Sequence, residues 1–298
     1  RGLAHIGVLK VLEEHKIKVD IVVGTSMGAM VGGAYAAGLS PVQIEEIATG
    51  TNWLKVAQIL FPKRLQHTAL LDGERVQEFL LALIGERKIE ELPRVFACIA
   101  ADIWNGEEIL LDSGSLIKAI RASISVPFLF KPFELEGRHL VDGGMVNPLP
   151  VNTARELGAD YVIAVGTTVS SDRHIKHLDS GKPLTRQKIM AAANSSAFFK
   201  RFLEYFEEDG VLKKVLNKQK TPKQKVPGMR KVMVQMGVTM ENMILNLRLK
   251  EYPPDVLIVP QVNDFQFFDF KRSREIIKAG ESATRNVLEK MNLPGEDK

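Results

Sequence analysis

The chain has 298 residues, of which 45% are apolar and 26% charged, an ordinary balance for a globular protein. Cys98 is the one cysteine, which excludes an intrachain disulfide and a cysteine-based zinc site. The net charge of +4 is too small to identify a partner, but residues 1–150 carry 15 basic and 18 acidic residues, whereas residues 151–298 carry 25 and 18. Because the chain opens at Arg1 rather than at a methionine, we expect a longer parent protein, whose targeting this sequence leaves open.

The first 50 residues predict a helix, a buried strand and a second helix. Ile6, Leu9 and Leu12 share one face of a helix predicted over residues 3–15. Residues 19–23 form a short apolar run typical of a buried strand, and the small residues after it predict a closely packed helix. The uncharged stretch 21–44 is long enough to span a membrane, but glycines interrupt it, so we favour the strand, turn and helix.

Helical and strand patterns then alternate along the chain. Helices are predicted at 74–84, 115–123, 152–158 and 273–291, and strands at 94–103, 107–112, 132–135, 138–141, 160–166 and 255–259. This alternation predicts an α/β fold with helices on both faces of a sheet. We expect a single domain over residues 1–298, with a helical insertion or lid at 170–250.

The insertion carries three patterns. An aromatic stripe (Phe198, Phe199, Phe202, Phe206) and a methionine run from 229 to 243 have helical spacing, and both fit core packing better than a lipid-binding surface. Residues 211–240 contain eight basic residues and no acid, which is most often solvated surface. The alternative is contact with an anionic membrane through Lys213, Lys214, Lys218 and Lys220.

A nucleophile motif is present at Gly24-Thr25-Ser26-Met27-Gly28, which fits G-x-S-x-G. It follows the predicted strand and opens the predicted helix, where a sharp turn strains the serine backbone and projects its hydroxyl. Small residues are then expected at Gly24 and Gly28, where the backbone is crowded. The structural alternative is a glycine turn in which Ser26 caps the helix.

A serine needs a base to become a nucleophile. In the chain order Ser, Asp, His, only His174 and His177 follow Asp142, and both lie in a polar segment more typical of solvated surface. Asp142-Gly143-Gly144 follows an apolar strand, and its paired glycines permit a close approach of two backbones. An ordinary Asp-Gly turn is the alternative for this segment.

Four segments together resemble the patatin-like phospholipase family, particularly its bacterial members. They are Arg1–Leu9, Gly24–Gly28, Arg121–Pro127 and Asp142–Gly144. The resemblance implies a three-layer α/β/α fold with a central, mostly parallel sheet. It also implies a serine acyl-ester hydrolase of the phospholipase A or lysophospholipase kind, with a Ser26–Asp142 dyad and no histidine.

The resemblance has further implications. Of the family's glycine-rich oxyanion loop only Arg1 and Gly2 are present, so the rest of that loop and the first strand are expected upstream. The family implies a lipid ester substrate. The sequence has no metal-ligand pattern and no calcium or phosphate-binding loop, so we expect no cofactor, metal or nucleic acid, and the basic stretch allows peripheral membrane association. The family also implies a bacterial protein of the cytoplasm or membrane surface. Two other hypotheses stay open: a catalytically impaired scaffold of the same fold, and an esterase that uses His174 or His177.

Overall fold

The computed structural model describes residues 1–50, 73–127, 129–167, 229–262, 264–265 and 269–291. Its helices are α1 (Ala4–Glu14), α2 (Met27–Ala36), α3 (Pro41–Gly50), α4 (Glu74–Ile84), α5 (Leu116–Ser123), α6 (Val151–Glu156), α7 (Met229–Glu251) and α8 (Ser273–Lys290). Its strands are β1 (Ile21–Thr25), β2 (Val95–Asp102), β3 (Glu108–Leu111), β4 (Phe133–Leu135), β5 (Arg138–Asp142), β6 (Ile163–Val165) and β7 (Val256–Ile258). The α/β class is confirmed, and α3 is a helix that the sequence patterns did not predict.

The main sheet is mixed, which corrects the expectation of a mostly parallel one. Strand β2 pairs with β1 in parallel, but its pairings with β3 and β5 are antiparallel, as is the pairing of β4 with β5. The β2–β3 and β4–β5 connections are short turns, and a short turn can join only antiparallel strands. Strands β6 and β7 form a separate parallel pair.

Strands β1 and β5 lie end to end along one edge of β2. Thr25, the last residue of β1, pairs with Ile99, and Asp142, the last residue of β5, pairs with Ala100. Because β1 runs parallel to β2 and β5 runs antiparallel to it, the carboxyl ends of the two strands meet. Strand β3 occupies the opposite edge of β2 at the same level. This topology brings residues 26 and 142 together although they are far apart in sequence.

The helix pair α1 and α8 is packed through glycines. A Cβ atom added at Gly7 would overlap the carbonyl oxygen of Ile277, and one added at Gly280 would overlap that of Ala4. The two helices therefore approach with their backbones nearly in contact. The start of α2 lies beside the residues that precede α1, where Gly2 abuts Met27.

Helix α7 exposes most of its methionines, contrary to the expectation of packing. Met236, Met240 and Met243 are 57%, 52% and 62% exposed. The opposite face of the helix places Leu245 and Leu249 against a small apolar cluster that includes Leu149, Val151, Val162 and Ala164. Packing along one face is enough to hold a helix in place. The leucine face of α7 provides that packing, and the methionine stripe on the other face is exposed.

The chain forms two compact units, Arg1–Ser171 with Val234–Lys298, and Asp172–Met233. The first contains both sheets and every residue of the site described below. The aromatic stripe of Phe198, Phe199, Phe202 and Phe206 and the four lysines of the alternative membrane contact lie outside the described residues. None of the helices in the described part of the chain has the length and apolar run that a membrane span requires.

Candidate active site

Ser26 occupies a sharp turn between β1 and α2. Its φ of 56° and ψ of −120° lie in a region that residues other than glycine seldom adopt. A Cβ atom at Gly24 would lie 2.5 Å from the carbonyl oxygen of Gly28, so the turn requires glycine there. At Gly28 the expected crowding is not found, because the nearest atom to an added Cβ is His5 Nε2 at 3.9 Å.

The hydroxyl of Ser26 donates a hydrogen bond to Oδ2 of Asp142 at 2.6 Å. The second carboxylate oxygen, Oδ1, accepts a 2.8 Å bond from the backbone N–H of Gly144. Burial raises the pKa of Asp142 to about 6, although the bonds from Ser26 and Gly144 act in the opposite direction. Asp142 is therefore mostly ionised at neutral pH, and it is a much stronger base than an exposed aspartate.

The turn after Asp142 explains the two glycines that follow. A Cβ atom at Gly143 would overlap the carbonyl oxygen of Ile99, so this backbone lies directly against β2. The chain then forms a single 3-10 turn over Gly143–Met145, which points the N–H of Gly144 at the carboxylate. The Asp-Gly-Gly segment thus binds its own aspartate while it packs against the central strand.

Ser123, the last residue of α5, and Ser125 just after it contact both halves of this pair, and sequence reasoning gave them no role. The N–H of Ser26 donates to Oγ of Ser123 at 3.0 Å, and that hydroxyl donates to the carbonyl oxygen of Ile99 at 2.6 Å. The N–H of Asp142 donates to the carbonyl oxygen of Ser125 at 3.0 Å. The only sequence signal was the resemblance of Arg121–Pro127 to a family segment, which placed the segment in the family but did not say what it touches.

A buried arginine lies under this segment. Arg121 is fully buried and donates to Oγ of Ser125 at 2.6 Å, while Ser125 donates back to the carbonyl oxygen of Arg121. Its guanidinium lies over the rings of Phe130 and Phe133 at 4.9 and 5.4 Å from their centroids. Cation–π contact and hydrogen bonding together hold the positive charge in the core.

Of the two residues predicted from the oxyanion motif, Gly2 lies next to the nucleophile turn. A Cβ atom at Gly2 would overlap that of Met27, the residue after Ser26. The side chain of Arg1 instead donates to the carbonyl oxygen of Phe265 at 2.9 Å. The backbone of Gly2 is therefore close to the site, and the guanidinium of Arg1 contributes to packing of the chain near α8.

One histidine lies near the turn. Nδ1 of His5 is 2.6 Å from the carbonyl oxygen of Gly2, and burial lowers the pKa of His5, so its imidazole is neutral at pH 7. The Ser26 hydroxyl donates its hydrogen bond to Asp142 rather than to a histidine. His174 and His177, the candidates for a histidine base, lie outside the described residues.

Known proteins of one family are similar to this chain. The family model "Patatin-like phospholipase" matches residues 1–155. An NTE family protein of Mycobacterium tuberculosis is 36% identical over 171 residues, which cover 55% of this chain and 45% of that protein. The lysophospholipase NTE1 of Debaryomyces hansenii is 26% identical over 302 residues, which cover 99% of this chain and 18% of that protein. A patatin-like phospholipase domain-containing protein of Caenorhabditis elegans is 39% identical over 170 residues, 55% of this chain and 12% of that protein.

The matched regions thus make up less than half the length of each of these relatives. Among solved structures, VipD from Legionella pneumophila superposes with a TM-score of 0.55 at 13% identity, over 97% of this chain and 65% of that one. That likeness concerns the fold alone. Because the family model covers more than half of its residues, this chain belongs to the patatin-like phospholipase family.

Proposed function

We propose that the protein is a serine acyl hydrolase that cleaves lipid esters, such as phospholipids or lysophospholipids, through Ser26 and Asp142. The observation that carries the proposal is the 2.6 Å hydrogen bond from Ser26 Oγ to Asp142 Oδ2, made by a serine in a strained turn to a buried carboxylate. The lipid substrate is supported by family membership and by the relative from Debaryomyces hansenii, which is called a lysophospholipase.

Acylation begins when Ser26 Oγ attacks the ester carbonyl carbon and its proton passes to Asp142 Oδ2. The new C–O bond pushes the carbonyl electron pair onto the carbonyl oxygen, which becomes an oxyanion. Helix α2 begins at Met27, so the positive end of its dipole lies beside the developing negative charge. Collapse of this intermediate breaks the ester C–O bond, and the leaving alcohol takes the proton from Asp142.

Deacylation repeats the same proton transfers with water. Asp142 accepts a proton from a water molecule as its oxygen attacks the acyl carbon, and the bond to Ser26 Oγ then breaks. Ser26 recovers its proton from Asp142, and the fatty acid leaves. A pKa of about 6 suits this role, because Asp142 is ionised at neutral pH and still accepts a proton readily.

Substitution of either residue tests the dyad. We expect Ser26→Ala and Asp142→Asn each to lower the rate of fatty acid release by about 10³-fold or more, since one removes the nucleophile and the other the base. The measurement is hydrolysis of a short-chain p-nitrophenyl ester and of a lysophospholipid. Asp112→Asn, at an exposed aspartate, is the matched control and should keep full activity.

Two results would count against the proposal. Release by either variant within tenfold of the wild-type rate would exclude the dyad. A wild-type protein whose Ser26 is not labelled by an organophosphonate ester would instead favour the impaired scaffold. Membrane contact through Lys213, Lys214, Lys218 and Lys220 depends on their charge alone and stays a prediction.

A further inference from the structure

The backbone of Ser26 needs a partner that holds it in its strained conformation. A φ of 56° at a serine persists only where surrounding contacts favour it over relaxed alternatives. Its carbonyl oxygen accepts from Met30 in the first turn of α2, a bond that any helix start can make. Its N–H points away from that helix and is bound by a side chain from another element, Ser123.

Ser123 is oriented so that it can only accept from Ser26. A serine hydroxyl has one proton, and that of Ser123 is donated to the carbonyl oxygen of Ile99 at 2.6 Å. The remaining lone pairs accept the N–H of Ser26 at 3.0 Å. Ser123 is fully buried, so water does not compete for either bond. It therefore fastens the nucleophile turn to the central strand at the level where β1 ends.

The same segment fixes the base. Two residues further along, the carbonyl oxygen of Ser125 accepts the N–H of Asp142 at 3.0 Å. Arg121 and Ser125 hydrogen-bond to each other, which keeps residues 121–125 in one conformation. The nucleophile and the base are thus tied to points two residues apart on a single buried segment.

We propose that Ser123 is a positioning residue, which sets the Ser26 Oγ to Asp142 Oδ2 distance by binding the backbone N–H of the nucleophile. This rests on the proposed function of Ser26 and Asp142. In this arrangement the N–H of Ser26 is bound to Ser123 and holds the turn. The oxyanion of the reaction is therefore bound by other donors. A hydroxyl is required at position 123 because the site must accept from Ser26 and donate to Ile99 at once.

The test is Ser123→Ala, measured by the kcat, the KM and the pH profile of ester hydrolysis in the whole protein. We expect kcat to fall by about 10- to 100-fold with an unchanged KM, because a small displacement of the nucleophile misaligns attack without altering substrate contacts. The acid limb of kcat/KM should also move to higher pH, since the Ser26 hydrogen bond lowers the pKa of Asp142 and would be weakened. If Ser123 only stabilised the fold, Ser123→Ala would lower the melting temperature and the acid limb of kcat/KM would stay at the same pH.

Thr284→Ala is the matched control, because it removes a fully buried hydroxyl that bonds the Gly280 carbonyl within α8. It should lower stability without moving kcat or the acid limb. Ser123→Cys preserves the volume and repeats the test if Ser123→Ala does not fold. A folded Ser123 variant with wild-type kcat and pH profile would overturn the inference. If Ser26→Ala stayed active, the proposed function itself would fail, so the two failures are distinguishable.

Discussion

Helices α2 and α7 both have apolar faces, but they differ in how they accommodate side-chain volume. In α2 the residues are small and the helix is packed on all sides: a Cβ atom at Gly32 would lie 2.8 Å from Val22, and one at Gly33 would lie 2.7 Å from Ile120. In α7 the side chains are large, and a stripe that includes Met240 and Met243 is exposed. Helix α2 supports the nucleophile turn, whereas α7 contacts the rest of its unit along one face.

Sequence changes should therefore matter more around α2 than on the outer face of α7. At Gly32 and Gly33 of α2, and at Gly24 just before it, an added methyl group would crowd its neighbours, so we expect the backbone shift that relieves the crowding to reach Ser26. On the outer face of α7 a substitution changes solvation and little else. Substitutions in the two regions test this contrast.

Gly24→Ala should have the largest effect on the packed side. The added Cβ would lie 2.5 Å from both the Gly28 carbonyl oxygen and the Ala29 nitrogen, so the start of α2 must move. We expect a loss of stability of about 1–3 kcal/mol from overpacking. We also expect a loss of kcat of about 10²-fold from the displaced serine. Chemical denaturation and ester hydrolysis measure the two effects.

Gly28→Ala is the control for this prediction. The nearest atom to its Cβ is 3.9 Å away, and alanine is the better helix former, so the free energy of unfolding should stay the same or rise by up to about 1 kcal/mol. If Gly24→Ala and Gly28→Ala destabilised the protein equally, the loss would not depend on the space around the added Cβ atom, and the steric account of Gly24 would be wrong.

The sequence predicted most elements of the fold because each has a buried face that imposes a period. It did not predict that β5 pairs antiparallel with β2, since this five-residue strand has only two apolar residues and no signal for the direction of pairing. It identified Ser26 and Asp142 from local motifs. It could not assign Ser123, because its bond to Ser26 spans 97 positions and leaves no spacing pattern.

The exposure of α7 was missed for a related reason. Leucines 245 and 249 and the methionines all repeat at helical spacing, so the helix has two apolar faces. Periodicity identifies such a helix, but it does not indicate which of two apolar faces is covered.

The contrast between packed and exposed positions can also be tested with charge, at the buried carboxylate of Asp142. Its pKa is about 6 in the folded protein and about 3.8 ordinarily, so the folded state binds the proton more tightly. The stability that this provides is present below about pH 4 and is lost as pH rises through 6, a change on the order of 2–3 kcal/mol. Asp142→Asn has no charge to bury, so relative to wild type its melting temperature should rise between pH 4.5 and pH 8.

Two comparisons accompany this measurement. Wild-type kcat/KM should fall about tenfold per pH unit below about pH 6, as Asp142 takes up a proton. Asp112→Asn removes an exposed carboxylate and is the matched control over the same range. If Asp142→Asn behaved like Asp112→Asn, the buried carboxylate would not be the source of the pH dependence.

The smallest effect is expected on the open face of α7. Met240 and Met243 are 52% and 62% exposed, so the double substitution Met240→Gln, Met243→Gln should change the free energy of unfolding by no more than about 0.5 kcal/mol. Leu245→Gln, two residues further along the same helix, is the matched variant. Leu245 packs against the cluster around Leu149 and Val162, and a glutamine there should cost about 1–3 kcal/mol. Urea denaturation measures the free energy of unfolding of both variants. If the methionine double variant lost as much stability as Leu245→Gln, the methionine face would have to be covered in the folded protein.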